Sequence, residues 1–347
     1  MMREYALWQR LLLGMGISAG LAAATAGSVT GQTAPAVRVA GVVYAQYAYQ
    51  LSDSAAHTNN FEVARAYVNV LGTFENGIKT RVTSDVFRNA DGSLGMRLKY
   101  AFASWKPSGS PLTAKLGMIQ TPWLDWEETL WEYRMQSPMM LDRNGYLTSA
   151  DLGVGADGAF GAQQQLNFQV AVVNGEGYSK PGGDGRKDVQ GRASLRLLGS
   201  NDTTAVGGLR VTGYAHLGGR TGGGARDRFI GMLSYKSKLF TLAGEVGRTR
   251  DGSDTTATKV GNLFGALGVL RVADSPWALI ARVDVVDPDD DQDNDAFTTV
   301  IGGVSYQLSA NVRLLADIDH TAYQADVLSA AVEAARSKLL LQAQFVF

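Results

Sequence analysis

Lys338 to Phe347, KLLLQAQFVF, is the stretch on which the fold turns. Leu339, Leu341, Ala343, Phe345 and Phe347 fall on one parity, and Lys338, Leu340, Gln342, Gln344 and Val346 on the other. A period of two is the signature of a β-strand with two unlike faces, whereas a helix would repeat near 3.6. The chain's last residue is an aromatic in phase with the apolar face.

Working back from there, the same period recurs from Val37 onward. Arg65-Ala66-Tyr67-Val68-Asn69-Val70 alternates, and Lys79, Arg81, Thr83 and Asp85 oppose Thr80, Val82 and Val86. Met96, Leu98, Tyr100 and Phe102 alternate with Arg97, Lys99, Ala101 and Ala103. About sixteen such segments can be drawn, each near the ten residues a tilted strand needs to cross a bilayer. They lie near 37–51, 60–74, 77–88, 95–106, 111–120, 149–160, 163–174, 187–198, 203–218, 226–237, 238–250, 261–273, 276–287, 295–308, 310–321 and 336–347. Short turns at 75–77, 199–202, 273–275 and 309 alternate with longer loops at 52–59, 121–148, 175–186, 251–260, 288–294 and 322–335. That alternation and an even strand number give an all-β chain, a transmembrane antiparallel β-barrel. A soluble sandwich or propeller would also alternate. The polar faces here, however, carry large basic residues and Gln rather than a solvated Glu/Lys mixture, and Phe347 is placed as in bacterial outer-membrane barrels.

Arg3 and Arg10 precede LLLGMGISAGLAAATA, and Ala24-Thr25-Ala26 fits a small-x-small cleavage site. Residues 1–26 therefore read as a signal peptide, 27–36 as a short N-terminal segment and 37–347 as the barrel. The expected location is the outer membrane of a Gram-negative-type bacterium. The expected neighbours are lipid, lipopolysaccharide and, through Phe347, the barrel assembly machinery. Formal net charge is −1, with no basic run, so nucleic acid is not an expected partner. With no Cys, the chain has no disulfide scaffold, thiolate metal site or lipoprotein anchor. His57, His216 and His320 have no metal-ligand spacing. His216 reads as a wall residue near a strand end. No Ser–His pair suggests a barrel lipase, and the glycines at 218–224 open no helix that could bind a dinucleotide. Neither a catalytic group nor a cofactor is expected. Asp287 to Asp295 looks like a calcium loop, but Asn294 and Val300 stand where Gly and Glu are needed, so it reads as a solvated acidic loop. Ala325 to Lys338 reads as a short helix with Leu328, Ala331, Val332 and Ala335 on one face.

The longest break in the alternation is Thr121 to Thr148, TPWLDWEETLWEYRMQSPMMLDRNGYLT. A long loop between short strands is usually functional. It joins strands five and six and is expected to fold inward and narrow the lumen. Its constriction residues are Trp123, Asp125, Trp126, Glu127, Glu128, Trp131, Glu132 and Arg134. Asp125 and Glu128 have the spacing of a capping box. The aromatics Trp123, Trp126, Trp131 and Tyr133 would pack the loop on the wall or offer sugars a slide.

With the apolar parity facing lipid, the lumen receives Arg65, Lys79, Arg81, Arg97, Lys99 and Lys115 on strands two to five, a basic wall. Arg192, Arg196, Arg210, Arg282 and Arg313 add further basic lumen residues, with Arg38 and Lys338. The acidic set is Asp85, Asp151, Asp157, Glu245, Asp284, Asp317 and Asp319. Loop carboxylates opposite the basic wall would set ion selectivity and orient dipolar solutes.

FEVARAYVNVLGTF (Phe61 to Phe74), KTRVTSDV (Lys79 to Val86), LKYAFASW (Leu98 to Trp105) and KLGMIQTPW (Lys115 to Trp123) together resemble the phosphate-selective porin O/P family of outer-membrane channels. Arg65, Lys115-Leu116-Gly117 and Thr121-Pro122 match its pattern over the first third of the mature chain. Trp123 stands where that family has Phe, and Asp142-Arg143 where it has Glu-Arg. The resemblance implies a sixteen-stranded homotrimeric porin passing small anions through an arginine-lined pore. The expected function is thus a passive diffusion channel for small hydrophilic solutes, anion-leaning, with phosphate as a candidate. The alternatives are a general or carbohydrate-admitting porin and, from another class, a non-conducting barrel enzyme or adhesin.

Overall fold

A computed structural model of the protein describes residues 35–347 apart from Ala90, 181–184, 221–222, Asp254 and 326–327. Residues 1–34, which include the expected signal peptide 1–26 and most of the expected N-terminal segment 27–36, lie outside the described residues.

The first strands are β1 (Ala36–Gln50), β2 (Asn59–Thr73), β3 (Ile78–Arg88), β4 (Leu94–Trp105) and β5 (Leu112–Gln120). The inward loop carries α1 (Leu124–Trp131) and α2 (Met140–Arg143). Then follow β6 (Ala150–Phe160), β7 (Leu166–Val173), β8 (Asp188–Leu198), β9 (Gly208–Leu217), β10 (Arg226–Lys236) and β11 (Phe240–Ser253). The chain continues as β12 (Thr256–Arg271), β13 (Trp277–Asp287), β14 (Phe297–Gln307), β15 (Val312–Tyr323), α3 (Ala330–Ala335) and β16 (Ser337–Val346). Each strand pairs antiparallel with the next, and β16 pairs with β1, so the sheet closes. Closure leaves no open edge, the condition for strands in hydrocarbon. Among the described residues no helix is long and apolar enough to cross a membrane.

The closing strand has the two faces its sequence announced. Leu341, Phe345 and Phe347 are exposed outside, while Leu340 and Gln342 are buried inside. Gly41 and Phe347 exchange backbone hydrogen bonds at 2.8 and 3.0 Å. A Cβ at Gly41 would lie 2.2 Å from the far end of the exposed Phe347 ring, so a larger residue there would push that ring aside. Around the wall the outer face is Leu, Val, Phe and Trp, and the buried polar residues point inward.

Several expectations are corrected. The turn after β8 runs to Gly207, because Asp202 caps it through Thr204 (2.8 Å to the amide) and Ser200 holds Gly208 (3.1 Å). The loop expected at 251–260 is instead an extended hairpin of β11 and β12. The helix expected over 325–338 is only α3, capped by Ser329 at 3.3 Å, and strand pairing claims the chain from Ser337 with β15 and from Lys338 with β1. On β4, Thr83 pairs with Tyr100 and Ser84 with Leu98, leaving Lys99 as the extra residue of a bulge. The bulge switches parity, so Tyr100 joins Lys99 on the buried face instead of the outer one assigned to it and Phe102.

Candidate pore constriction

The inward loop begins at Thr121, whose hydroxyl donates to the Thr148 carbonyl at 2.6 Å and pins the two ends of the loop together. Trp123 is already in the right-handed helical region, so α1 starts at Leu124 and Asp125 falls in its first turn. The capping box is therefore absent: no side chain caps this helix. Burial of Trp123 against Tyr214, ring centroids 5.5 Å apart, outweighs the ~1 kcal/mol a cap supplies. Leu124 and Leu130 are wholly buried, worth about 2 kcal/mol each. Trp126, Trp131 and Tyr133 are buried too, so the aromatics pack the loop and offer no slide.

Glu132 ends α1 in the left-handed region at φ 64°. A non-glycine residue there costs about 1–2 kcal/mol, offset by what the turn achieves. Lys236 donates to the Glu132 carboxylate at 2.7 Å, Arg271 also pairs with it, and Arg313 donates to its carbonyl at 2.8 Å. These cations hold the Glu132 carboxyl below its ordinary value although burial alone would raise it. Further along, Gln342 reaches the Met135 carbonyl (2.9 Å), Arg282 the Pro138 carbonyl (2.9 Å) and Arg143 the Asp319 carboxylate (2.7 and 3.0 Å). Arg192 donates to the Pro122 carbonyl at 3.0 Å and Arg228 to that of Tyr146 at 3.2 Å. The loop is thus fastened to β8, β10, β12, β13, β15 and β16.

What it leaves open faces β1 to β4. A cavity of about 260 Å³ lies between Tyr44, Tyr67, Asn69, Arg81, Lys99 and Tyr100 on the wall and Asp125, Glu128, Thr129, Glu132 and Arg134 on the loop. Two rows of opposite charge do meet there, but much of the basic wall is matched locally. Arg65 holds Asp85 with two bonds of 2.8 Å, Arg97 reaches the same carboxylate at 3.0 Å, and Lys115 pairs with Asp157 at 2.5 Å. Lys79 is exposed beside the turn 75–77. On the loop, Arg134 pairs with Glu128 at 2.8 Å and Asp142 at 3.6 Å.

Arg192, Arg196, Arg210 and Arg282 are buried and serve as pins. Arg192 lies over Trp126 at 4.1 Å, Arg196 binds Gln163, Arg210 binds the Gln164 carbonyl at 2.8 Å, and Arg282 pairs with Asp284. Glu127 points away from the gap into a buried site with Glu245, Asp284 and Arg282. Burial first, and the Glu245 carboxylate second, push its carboxyl well above the ordinary value.

Reading by parity missed several groups. Tyr67 and Asn69 share the parity of Arg65 and could have been found from it; Tyr44 and Tyr100 surround the same gap. Tyr178 comes from the loop after β7, and its hydroxyl accepts from Arg97 at 2.8 Å and Arg65 at 3.3 Å. No local sequence signal marks it. His216 is buried near the end of β9 with its Nε2 2.7 Å from Asp188, a wall residue as expected. The Asp289, Asp290 and Asp291 carboxylates cluster, and Lys259 and Arg248 pair with two of them at 3.2 Å.

A closed sixteen-stranded antiparallel barrel with an inward-folded loop between β5 and β6 is the architecture of a porin. No protein-family model and no curated protein matches the chain; the likeness lies in three dimensions. The anion-selective porin of Comamonas acidovorans superposes with a TM-score of 0.65 at 15% identity, covering 90% of this chain and 100% of that one. The outer-membrane protein OmpT of Vibrio cholerae gives 0.62 at 12%, covering 91% and 99%. The outer-membrane channel DcaP of Acinetobacter baumannii gives 0.62 at 9%, covering 90% and 97%. At these identities the likeness establishes the fold alone.

Proposed function

We propose that the protein is a passive diffusion channel of an outer membrane, passing small hydrophilic solutes with a modest preference for anions. The observation that carries this reading is the loop 121–148, fastened across the lumen so that a charged gap remains beside β1 to β4. A plugged barrel would need no such gap, and the reading requires no catalytic group or cofactor. Arg81 and Lys99 outnumber Asp125 among the gap's charges that lack an ion pair, so the field leans toward anions. Phosphate is the candidate substrate within that class. Because Arg65, Arg97 and Lys115 are already matched by Asp85 and Asp157, a general porin is the second reading. Residues 1–26 are assigned as a signal peptide, and the assembly as a homotrimer in contact with lipopolysaccharide. Phe347 is assigned as the mark read by the barrel assembly machinery.

The test is the zero-current potential of the purified protein in a planar bilayer under a KCl gradient, followed by phosphate titration. An anion-side potential is expected. Phosphate block of chloride current supports the narrower substrate. A near-zero or cation-side potential leaves a general porin, and no conductance removes the channel.

A further inference from the structure

The buried arginines of the wall are of two kinds. Arg228 pairs with Asp251 at 2.9 Å and Arg282 with Asp284 at 2.5 Å. Arg192, Arg196 and Arg210, on β8 and β9, are 5, 7 and 0% exposed, and among the described residues none of them has an ion-pair partner. They bind neutral oxygens instead. Arg192 donates to the Pro122 carbonyl at 3.0 Å and to Asn167 at 2.6 Å. Arg196 donates to the Gln163 amide oxygen at 2.6 Å and to its carbonyl. Arg210 donates to the carbonyls of Gly207 (3.2 Å) and Gln164 (2.8 Å). The Asp157 carboxylate is already paired with Lys115 at 2.5 Å. Arg196 and Arg210 are direct partners across an antiparallel pair, where like charges repel. A bulge beyond Arg196, with Leu197 as the extra residue, sets that register. It requires Gly208 at φ 81°, since a Cβ there would lie 2.2 Å from the Leu198 carbonyl. Arg192 and Arg210 both lie against the Trp126 ring, 4.1 and 5.5 Å from its centre. Arg192 Nη1, Arg196 Nε and Trp126 Nε1 are buried without a hydrogen-bond partner.

We infer that Arg196 and Arg210, with Arg192 behind them, form a site for one small tetrahedral oxyanion, resident in the wall and separate from the gap beside β1 to β4. Three buried cations and their unpartnered N–H donors lack an acceptor that also carries negative charge. A phosphate or sulfate supplies both, and guanidinium groups meet its oxygens in pairs. The turn 161–165 stands in for that ion. Gln163 and Gln164 are both in the left-handed region, at φ 51° and 57°, and their carbonyls point to Arg196 and Arg210. Entry is from the short-turn end, which in an outer-membrane barrel faces the periplasm. Gln163 is exposed there, and swinging its side chain aside uncovers the Arg196 fork. The ion so held joins the β6–β7 turn to β8 and β9, and through Trp126 steadies α1. It is a structural ligand, and its binding does not depend on the channel reading.

The test titrates inorganic phosphate into the full purified protein in detergent, at fixed pH and a fixed high KCl concentration that screens weak surface binding. Binding is read from the phosphorus NMR line width of phosphate and from the unfolding midpoint of the barrel. Saturable broadening is expected, with the midpoint raised by about 2 °C at tenfold the half-saturating concentration. Sulfate should compete, and Arg196→Gln should weaken binding by about tenfold or more. Lys99→Met, on the gap, should leave binding unchanged. Gln163→Gly removes the competing amide oxygen and suits the left-handed backbone, so it should tighten binding severalfold. Because Gln163 is exposed, this variant keeps the fold and decides the matter even where Arg196→Gln fails to assemble. No saturable binding to the unaltered protein overturns the inference. So does binding that Arg196→Gln leaves intact, or that Gln163→Gly leaves unchanged or weakens. Loss of binding in Lys99→Met places the ion in the gap and overturns it as well.

Discussion

The two sides of the barrel wall use the same residue types to different ends. On β8 to β15, Arg192, Lys236, Arg282, Arg313 and Asp319 bind the constriction loop by direct hydrogen bonds. On β2 to β4, Arg65, Arg81, Arg97, Lys99 and Asp85 make no hydrogen bond to that loop among the described residues, and Arg81 and Lys99 line the open gap. An inward arginine is a pin where a loop lies on it and a source of field where none does. The helix α1 shows the same division in miniature, with Asp125 and Glu128 on the gap and Glu127 on the wall side.

The largest test of this division removes the loop. Deleting Trp126 to Met135 abolishes the pins of Glu132 and Met135 together with the loop side of the gap, and single-channel conductance should rise severalfold. Unchanged conductance would place the loop outside the current path. Next comes the pinned side alone. Arg282→Ala leaves Asp284 buried and unmatched beside Glu245 and Glu127, a loss of about 3–5 kcal/mol. The readout is the unfolding midpoint of the purified barrel, and loss near zero would mean that water already reaches these carboxylates. Selectivity then separates the two walls directly. Lys99→Met should move the zero-current potential toward cations, while Arg192→Met should leave it in place and only loosen the loop. Equal shifts in the two variants would erase the distinction drawn here.

The smallest effect is in pH. The folded state raises the Glu127 carboxyl above its ordinary 4.5, so between that value and the raised one it binds more protons than the unfolded chain. The stabilisation is complete below the ordinary value and is lost as pH rises through the folded one. The slope from one group is at most about 1.4 kcal/mol per pH unit. Glu127→Gln should flatten that part of the stability profile, and an unaltered slope would assign it to other groups.

The strands were legible because each needs only its own alternation, as in Leu339 to Phe347. The inward loop was legible as a break in that alternation. The bulge was not, because Lys99 is an extra residue only relative to β3, and pairing partners are invisible in one strand's pattern. The capping box at Asp125 failed for a related reason: the local cap lost to Trp123 buried against Tyr214 on β9. Tyr178 reached Arg65 and Arg97 only through the closure of the barrel.

By itself, then, the sequence determined a barrel, the parity of most of its wall and the loop that enters it. Those properties are written in the solvent preference of each side chain, repeated every second residue. Only the tertiary structure decided which inward charges are matched and which remain to act on a solute. Ion pairing depends on distances between strands and loop that no single segment encodes.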